Sequence, residues 1–243
     1  MEVHVVPDAR ALAVDAAARV AEVISATPNA LLLAATGETP MGCYAELGRL
    51  ARDGSLDASR LRIAQLDEYL GLNQADPRSL YAWMERALLE PLGIGAERVI
   101  RFGTEDVDGA RIGREYDAEI QAAGGIDLAI LGLGPNGHLG FNEPPSEAGA
   151  PTRVVSLDAA TLESNAGYWQ DAVPPRAVTA GMSVILAARR ILLLVSSERK
   201  ASILDRMLQS EPNATLPASF LRQHPRATVI ADRDARPDSS SRA

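Results

Sequence analysis

The sequence predicts an α/β fold: a mostly parallel sheet with helices on both faces. Two patterns carry that expectation. Short, near-continuous apolar runs rich in Leu, Ile and Val look like strands buried on both sides. Between them lie longer segments with helical periodicity, and strand–helix alternation of this kind builds a parallel sheet. No long Pro/Gly/Ser linker and no internal repeat divides the chain, so residues 1–232 are expected to form a single domain.

In chain order, residues 3–6 form the first candidate strand and 9–25 the first helix, where Leu12, Ala16, Val20 and then Val23 or Ile24 recur at helical spacing. Strand 30–34 precedes helix 40–53, with Thr39 placed to cap it and Pro40 at its first position. Strand 62–66, helix 79–89, strand 98–102, helix 109–123 and strand 126–131 follow. The chain then offers strand 191–195, helix 198–209 and strand 228–231. Residues 233–243 are polar, carry three consecutive serines and lack apolar periodicity, so a disordered tail is expected there.

Hydrophobic residues make up 47% and charged residues 23%, which excludes a disordered chain. With 24 basic against 32 acidic residues the net charge is -8, which argues against nucleic acid and anionic membranes as partners. Cys43 is the single cysteine, so no intrachain disulfide can form and a reducing compartment fits. One Cys and three His (His4, His138, His224) argue against a structural zinc site. Residues 1–10 lack an export pattern, and no apolar stretch is long enough to span a bilayer, so a cytoplasmic location is expected.

In open parallel sheets, ligands collect at the carboxyl ends of the strands, and three loops at such ends carry unusual residues. After the second strand comes Ala35-Thr36-Gly37-Glu38-Thr39-Pro40, then a helix. Free N–H groups at a helix start attract anions and the two threonines add hydroxyls, although a simple capped turn accounts for the same residues. After the third strand comes Asp67-Glu68-Tyr69-Leu70-Gly71-Leu72. In an extended run the two carboxylates point to opposite sides, so one of them can face a cleft as a general base; a solvated turn is the plainer alternative.

The third loop, Gly132 to Pro145, contains Gly132-x-Gly134-x-x-Gly137, which imitates a dinucleotide fingerprint. Pro135, Pro144 and Pro145 prevent the helix that such a fingerprint must open. Its glycines and prolines instead describe a backbone bent tightly around Asn136, His138 and Glu143, where a carboxylate can fix the imidazole tautomer.

Together these loops resemble the glucosamine-6-phosphate deaminase/isomerase family, which also includes 6-phosphogluconolactonases. The matching strings are Ala35-Thr36-Gly37-Glu38-Thr39-Pro40, Leu66-Asp67-Glu68-Tyr69-Leu70-Gly71-Leu72 and Gly134-Pro135-Asn136-Gly137-His138-Leu139-Gly140-Phe141-Asn142-Glu143-Pro144. Further likeness runs through Ala177 to Met182, Ser196 to Ala201 and Pro217 to Leu221. The resemblance implies a Rossmann-like α/β/α sandwich, a sugar-phosphate substrate and no metal or organic cofactor. It also implies that copies can assemble into homo-oligomers.

By resemblance, Asp67 is the base, His138 opens the sugar ring, Glu143 holds the imidazole, and Asn136 completes the catalytic set. Substrate and phosphate contacts fall to Thr36, Gly37, Glu38, Thr39, Gly137 and Lys200. The best-known deaminases carry a phosphate-binding arginine where Glu163-Ser164-Asn165-Ala166-Gly167-Tyr168-Trp169 places Gly167. Either another cation, such as Arg153 or Arg176, takes over or the substrate differs. The function implied is conversion of glucosamine 6-phosphate or galactosamine 6-phosphate to a ketose 6-phosphate and ammonia. A lactone hydrolase of the 6-phosphogluconolactonase type and a non-catalytic sugar-phosphate sensor are the alternatives. Asn142-Glu143-Pro144 after the Gly-His pair disfavours the first, and the presence of Asp67, His138 and Glu143 together disfavours the second.

Overall fold

The computed structural model describes residues 1–72, 76–103, 109–168 and 173–236. Seven strands form one sheet: β1 (Glu2–Val6), β2 (Leu31–Ala34), β3 (Arg62–Gln65), β5 (Val99–Ile100), β6 (Leu128–Gly132), β9 (Ile191–Val195) and β10 (Ala227–Asp232). Their spatial order is β1-β10-β9-β6-β2-β3-β5, and every pairing is parallel. The expected α/β architecture is therefore present.

The leucine-rich strands are apolar throughout because both faces are covered. Leu31, Leu33, Leu193 and Val195 point to one side, where they pack with Ile112, Tyr116 and Ile120 of α5 (Gly109–Ala122). The same side receives Ile203, Leu204 and Met207 of α8 (Ala201–Gln209). Leu32, Ala34, Leu192 and Leu194 point to the other side. There they meet Leu12, Ala16 and Val20 of α1 (Ala9–Ala26) and Cys43, Tyr44 and Leu47 of α2 (Glu38–Arg52). Asp8 caps α1 by accepting the Ala11 N–H at 2.8 Å.

The helix expected at 79–89 runs further, as α3 (Leu80–Met84), a π-helical turn (Glu85–Leu89) and α4 (Glu90–Leu92). Pro91 cannot donate to, and crowds, the carbonyl of Ala87; the wider π register absorbs the mismatch. Gly93, in the left-handed region at φ 64°, ends it.

Three strands escape the apolar-run pattern: β4 (Asp67–Tyr69), β7 (Arg153–Ser156) and β8 (Arg176–Thr179). They form a separate antiparallel sheet in the order β4-β8-β7, set over the carboxyl edge of the main one through the chain that continues from Leu66. Two short helices also go beyond the sequence pattern, α6 (Ala159–Asn165) and α7 (Met182–Leu186). Residues 233–236, expected in a disordered tail, are instead tied to the domain. Asp232 accepts the Ala235 N–H at 2.8 Å, Ala235 is buried, and Arg236 pairs with Asp205 at 2.7 Å. The rest of that segment, 237–243, lies outside the described residues.

Candidate active site

Strand β2 has β3 on one side and β6 on the other, so the chain leaving β2 and the chain leaving β6 part in opposite directions. A crevice opens at such a switch point. Here it is a cleft of about 470 Å³, walled by the loops after β2, β3 and β6, by α3 and α6, and by the turn after β9.

The β2 wall is Ala35 to Pro40. The buried Tyr44 hydroxyl donates to the Ala35 carbonyl at 2.8 Å and ties the loop to α2. The helix begins earlier than expected, since Gly37 rather than Thr39 occupies the cap position, at φ 126°. Pro40 becomes the third helical residue, still inside the first turn, where an N–H has no intrahelical partner to lose. No side chain caps this end, so its first N–H groups are available to an anion in the cleft. Thr36, Gly37, Glu38 and Thr39 all line the cleft; Glu38, being acidic, can offer an anion only its backbone N–H.

From the β3 side comes Asp67, 7% exposed and facing the cleft. Among the described residues no hydrogen bond reaches its carboxylate. Burial, and then the neighbouring charge of Glu68, push its pKa up to about 8. Glu68 points the other way, as the pleat requires. Its oxygens accept N–H groups from Gln65, Tyr69, Leu80 and Tyr81 at 2.8–2.9 Å.

The β6 loop supplies His138. It turns through hydrogen bonds from the Gly134 N–H to the His138 carbonyl and from the Gly137 N–H to the Gly134 carbonyl, both 3.0 Å. Gly134 is required here: a Cβ would lie 2.1 Å from His138 Cδ2, so only glycine lets the imidazole lie against the backbone. His138 Nδ1 is 3.1 Å from Glu143 Oε2, and the same oxygen accepts the Asn136 amide at 2.7 Å. Asn136 also accepts the His138 backbone N–H at 3.2 Å. Burial alone would raise the Glu143 pKa, but hydrogen bonding and charge from His138, with help from Asn136 and Thr161, hold it down at about 2. An ionised carboxylate can only accept, so Nδ1 carries the proton and Nε2 is left as the acid–base end.

The expected site set thus divides. Thr36, Gly37, Glu38, Thr39, Asp67, His138 and Lys200 line one cleft. Asn136 and Glu143 stand behind the imidazole, and Gly137 faces Leu216, where a Cβ would meet its Cδ1 at 2.3 Å; none of the three is among the described lining residues. Gly137 shapes the loop, with no room for a side chain on the Leu216 side.

The two cations considered as substitutes at position 167 also change. Arg153 is committed to Asn142, Ser146 and the Pro151 carbonyl at 2.8, 2.8 and 3.2 Å, and neither it nor the exposed Arg176 lines the cleft. Gly167 does line it, while Trp169 lies outside the described residues. Arg199 beside Lys200 does too, and burial, followed by the charge of Arg199, lowers the Lys200 pKa while Glu38 opposes the shift.

Sequence reasoning missed Trp83, Thr161, Ser164, Asn165 and Arg199. One signal was available: Thr161, Ser164 and Asn165 share one face of a helix, at spacings of three and four. Asn165 donates to the Tyr69 hydroxyl at 2.9 Å and so ties α6 to β4.

Among the described residues no three His, Cys, Asp or Glu side chains gather as metal ligands, and no helix is long and apolar enough to cross a membrane.

The family model for glucosamine-6-phosphate isomerases/6-phosphogluconolactonase matches residues 7–230. A glucosamine-6-phosphate deaminase of Streptomyces avermitilis is 43% identical over 237 residues, 96% of this chain and 90% of that protein. One from Bacillus pumilus is 37% identical, covering 94% of this chain and 95% of its own. The solved structure of a monomeric glucosamine-6-phosphate deaminase superposes with a TM-score of 0.94 at 35% identity, covering 97% of this chain and 98% of that one. A 6-phosphogluconolactonase from Trypanosoma cruzi, at 20% identity and a TM-score of 0.79 over 98% of this chain and 97% of its own, shares the fold. Sequence and architecture agree along nearly the whole length: the chain belongs to the glucosamine-6-phosphate isomerase/6-phosphogluconolactonase family.

Proposed function

We propose that this chain is an amino-sugar-6-phosphate deaminase/isomerase that converts glucosamine 6-phosphate or galactosamine 6-phosphate, with water, to a ketose 6-phosphate and ammonia. The observation that carries the reading is the meeting of Asp67 and His138, distant in sequence, on one cleft large enough for a hexose phosphate. The relatives named glucosamine-6-phosphate deaminase support it at identities of 43% and 37%.

The chemistry follows from the groups present. His138 accepts the proton of the C1 hydroxyl at Nε2 and passes it to the ring oxygen, which opens the ring to the aldehyde. Glu143 keeps Nδ1 protonated and stabilises the imidazolium as it forms, and Asn136 holds Glu143 in place. Asp67 then removes the C2 proton, and the electron pair moves into an enolamine. Returning a proton to C1 leaves an iminium at C2, where water adds and ammonia departs. A carboxylate whose pKa is about 8 is a far stronger base than a solvated one, which suits removal of a carbon-bound proton. The free amides opening α2, the Thr36 and Thr39 hydroxyls and Lys200 would hold the phosphate.

The reading places the reaction in the cytoplasm, consistent with the free, buried thiol of Cys43. The residues it draws on all come from one copy of the chain, and such copies can assemble into a homo-oligomer. Incubating the protein with each amine, and separately with 6-phosphogluconolactone, tests the activity. Ammonia and ketose phosphate in equal amounts are expected from an amine. Lactone hydrolysis without ammonia from either amine would replace the reading with that of a lactonase.

A further inference from the structure

A phosphate dianion entering this cleft meets the carboxylate of Glu38, and that of Asp67 once it is ionised, in a protein of net charge -8. Helix-end amides and one ammonium, itself half-buried, are a modest counterweight. Position 167, on the same wall, is glycine and supplies no charge. The candidates for a second cation reduce to one. Arg153 is hydrogen-bonded to Asn142, Ser146 and the Pro151 carbonyl and does not line the cleft, and Arg176 is exposed outside it. Arg199 lines the cleft, is exposed, and makes no ion pair or side-chain hydrogen bond among the described residues.

Its backbone is held unusually firmly. The preceding Ser197 sits at φ 85°, the one non-glycine residue with positive φ among those described. The strain is sustained by Asp232, 2% exposed at the end of β10, which accepts the Ser196 hydroxyl and, at 3.3 Å, the Ser197 N–H. The Lys200 N–H closes the turn on the Ser197 carbonyl at 2.9 Å. Strained backbone held by a buried anchor is characteristic of segments that must present a side chain in one place.

We propose that Arg199 is the second cationic ligand of the substrate's phosphate, presented by the Ser196–Ser197 turn, and that it takes the part a guanidinium at position 167 would play. The inference rests on the proposed function and adds to it the residue that recognises the phosphate monoester. A guanidinium presents paired N–H groups that match two phosphate oxygens, whereas Lys200 offers a point charge.

Calorimetric titration of the full-length protein with fructose 6-phosphate, with fructose as the unphosphorylated control, tests the idea. Arg199→Ala is expected to weaken fructose 6-phosphate binding about 10- to 100-fold, the range for losing a charge-assisted, two-pronged contact. Fructose binding should be unaffected by the same change. Gly167→Arg placed in the Arg199→Ala background is expected to recover most of the loss; a Cβ at Gly167 has no atom within 4 Å, so the new side chain has room. Binding by Arg199→Ala within twofold of the unaltered protein overturns the inference and leaves the proposed function standing. Failure of the unaltered protein to bind fructose 6-phosphate overturns both. Circular dichroism of each variant establishes that it is folded before titration.

Discussion

The acid–base groups differ most in what their surroundings do to ionisation, and that makes their behaviour with pH distinct. Asp67, at about 8, is raised far above the ordinary aspartate value of ~3.9. Between those values the folded state holds a proton that the unfolded chain has released, so stability from this residue is complete below the lower value and is lost as pH rises through about 8. Asp67→Asn should therefore melt higher than the unaltered protein above pH 8, while turnover falls about 10²–10⁴-fold. Thermal melts and ammonia release on the same samples check the two halves. In the unaltered protein kcat/KM should climb with pH up to an inflection near about 8, as the base becomes ionised. Glu143 has the opposite sign: held at about 2, it contributes stability above its ordinary range that is lost as pH falls toward that value. Glu143→Gln should flatten the acid limb of a stability–pH curve. These residues were legible because each sits in a short string whose chemistry is unusual. Trp83 was not, because an aromatic residue on a helix has no local mark saying which surface it will face, and the shared face of Thr161 and Ser164 shows only once α6 is known to be a helix.

At the scale of elements, the site depends on two anchors remote from any reacting atom. Glu68 joins β4 to the start of α3 through the N–H groups of Leu80 and Tyr81, and so sets where Leu80 and Trp83 meet the cleft. Its oxygens face donors only, and glutamine would turn an NH₂ toward at least one of them. Glu68→Gln should cost about 1–3 kcal/mol in urea unfolding, and KM should rise as the Trp83 wall shifts. Ser197 offers a gain instead. Glycine accepts positive φ without a steric penalty, so Ser197→Gly should stabilise the fold by about 1 kcal/mol, measured as a higher melting temperature. The cost should appear in KM, because the Arg199–Lys200 turn loses its rigidity. Elements with a full apolar face, such as β2, β9 and α1, could be read directly from the chain. The β4-β8-β7 sheet could not: its strands mix charged and polar residues with apolar ones instead of forming an apolar run, and its pairing joins Asp67 to Thr179 across nearly half of the chain.

For the molecule as a whole, the decisive feature is that the cleft lies where separately folded parts of the chain converge. The β2 and β6 loops, α6 on one side and the Arg199–Lys200 turn on the other contribute walls that share no local sequence. The strand order that brings them together, with β2 between β3 and β6, is a property of the assembled sheet rather than of any one segment. A ligand touching all of these walls can bind only the assembled fold, so its binding energy adds to the stability of the entire domain. Fructose 6-phosphate at a hundredfold excess over its dissociation constant should raise the unfolding free energy by about 2.7 kcal/mol. Hydrogen exchange gives the spatial half of the same prediction: added protection should appear together in the first turn of α2, in α6 and in the segment after β9. Protection confined to the α2 turn would mean that the phosphate docks on a helix end alone and that the sugar does not span the cleft.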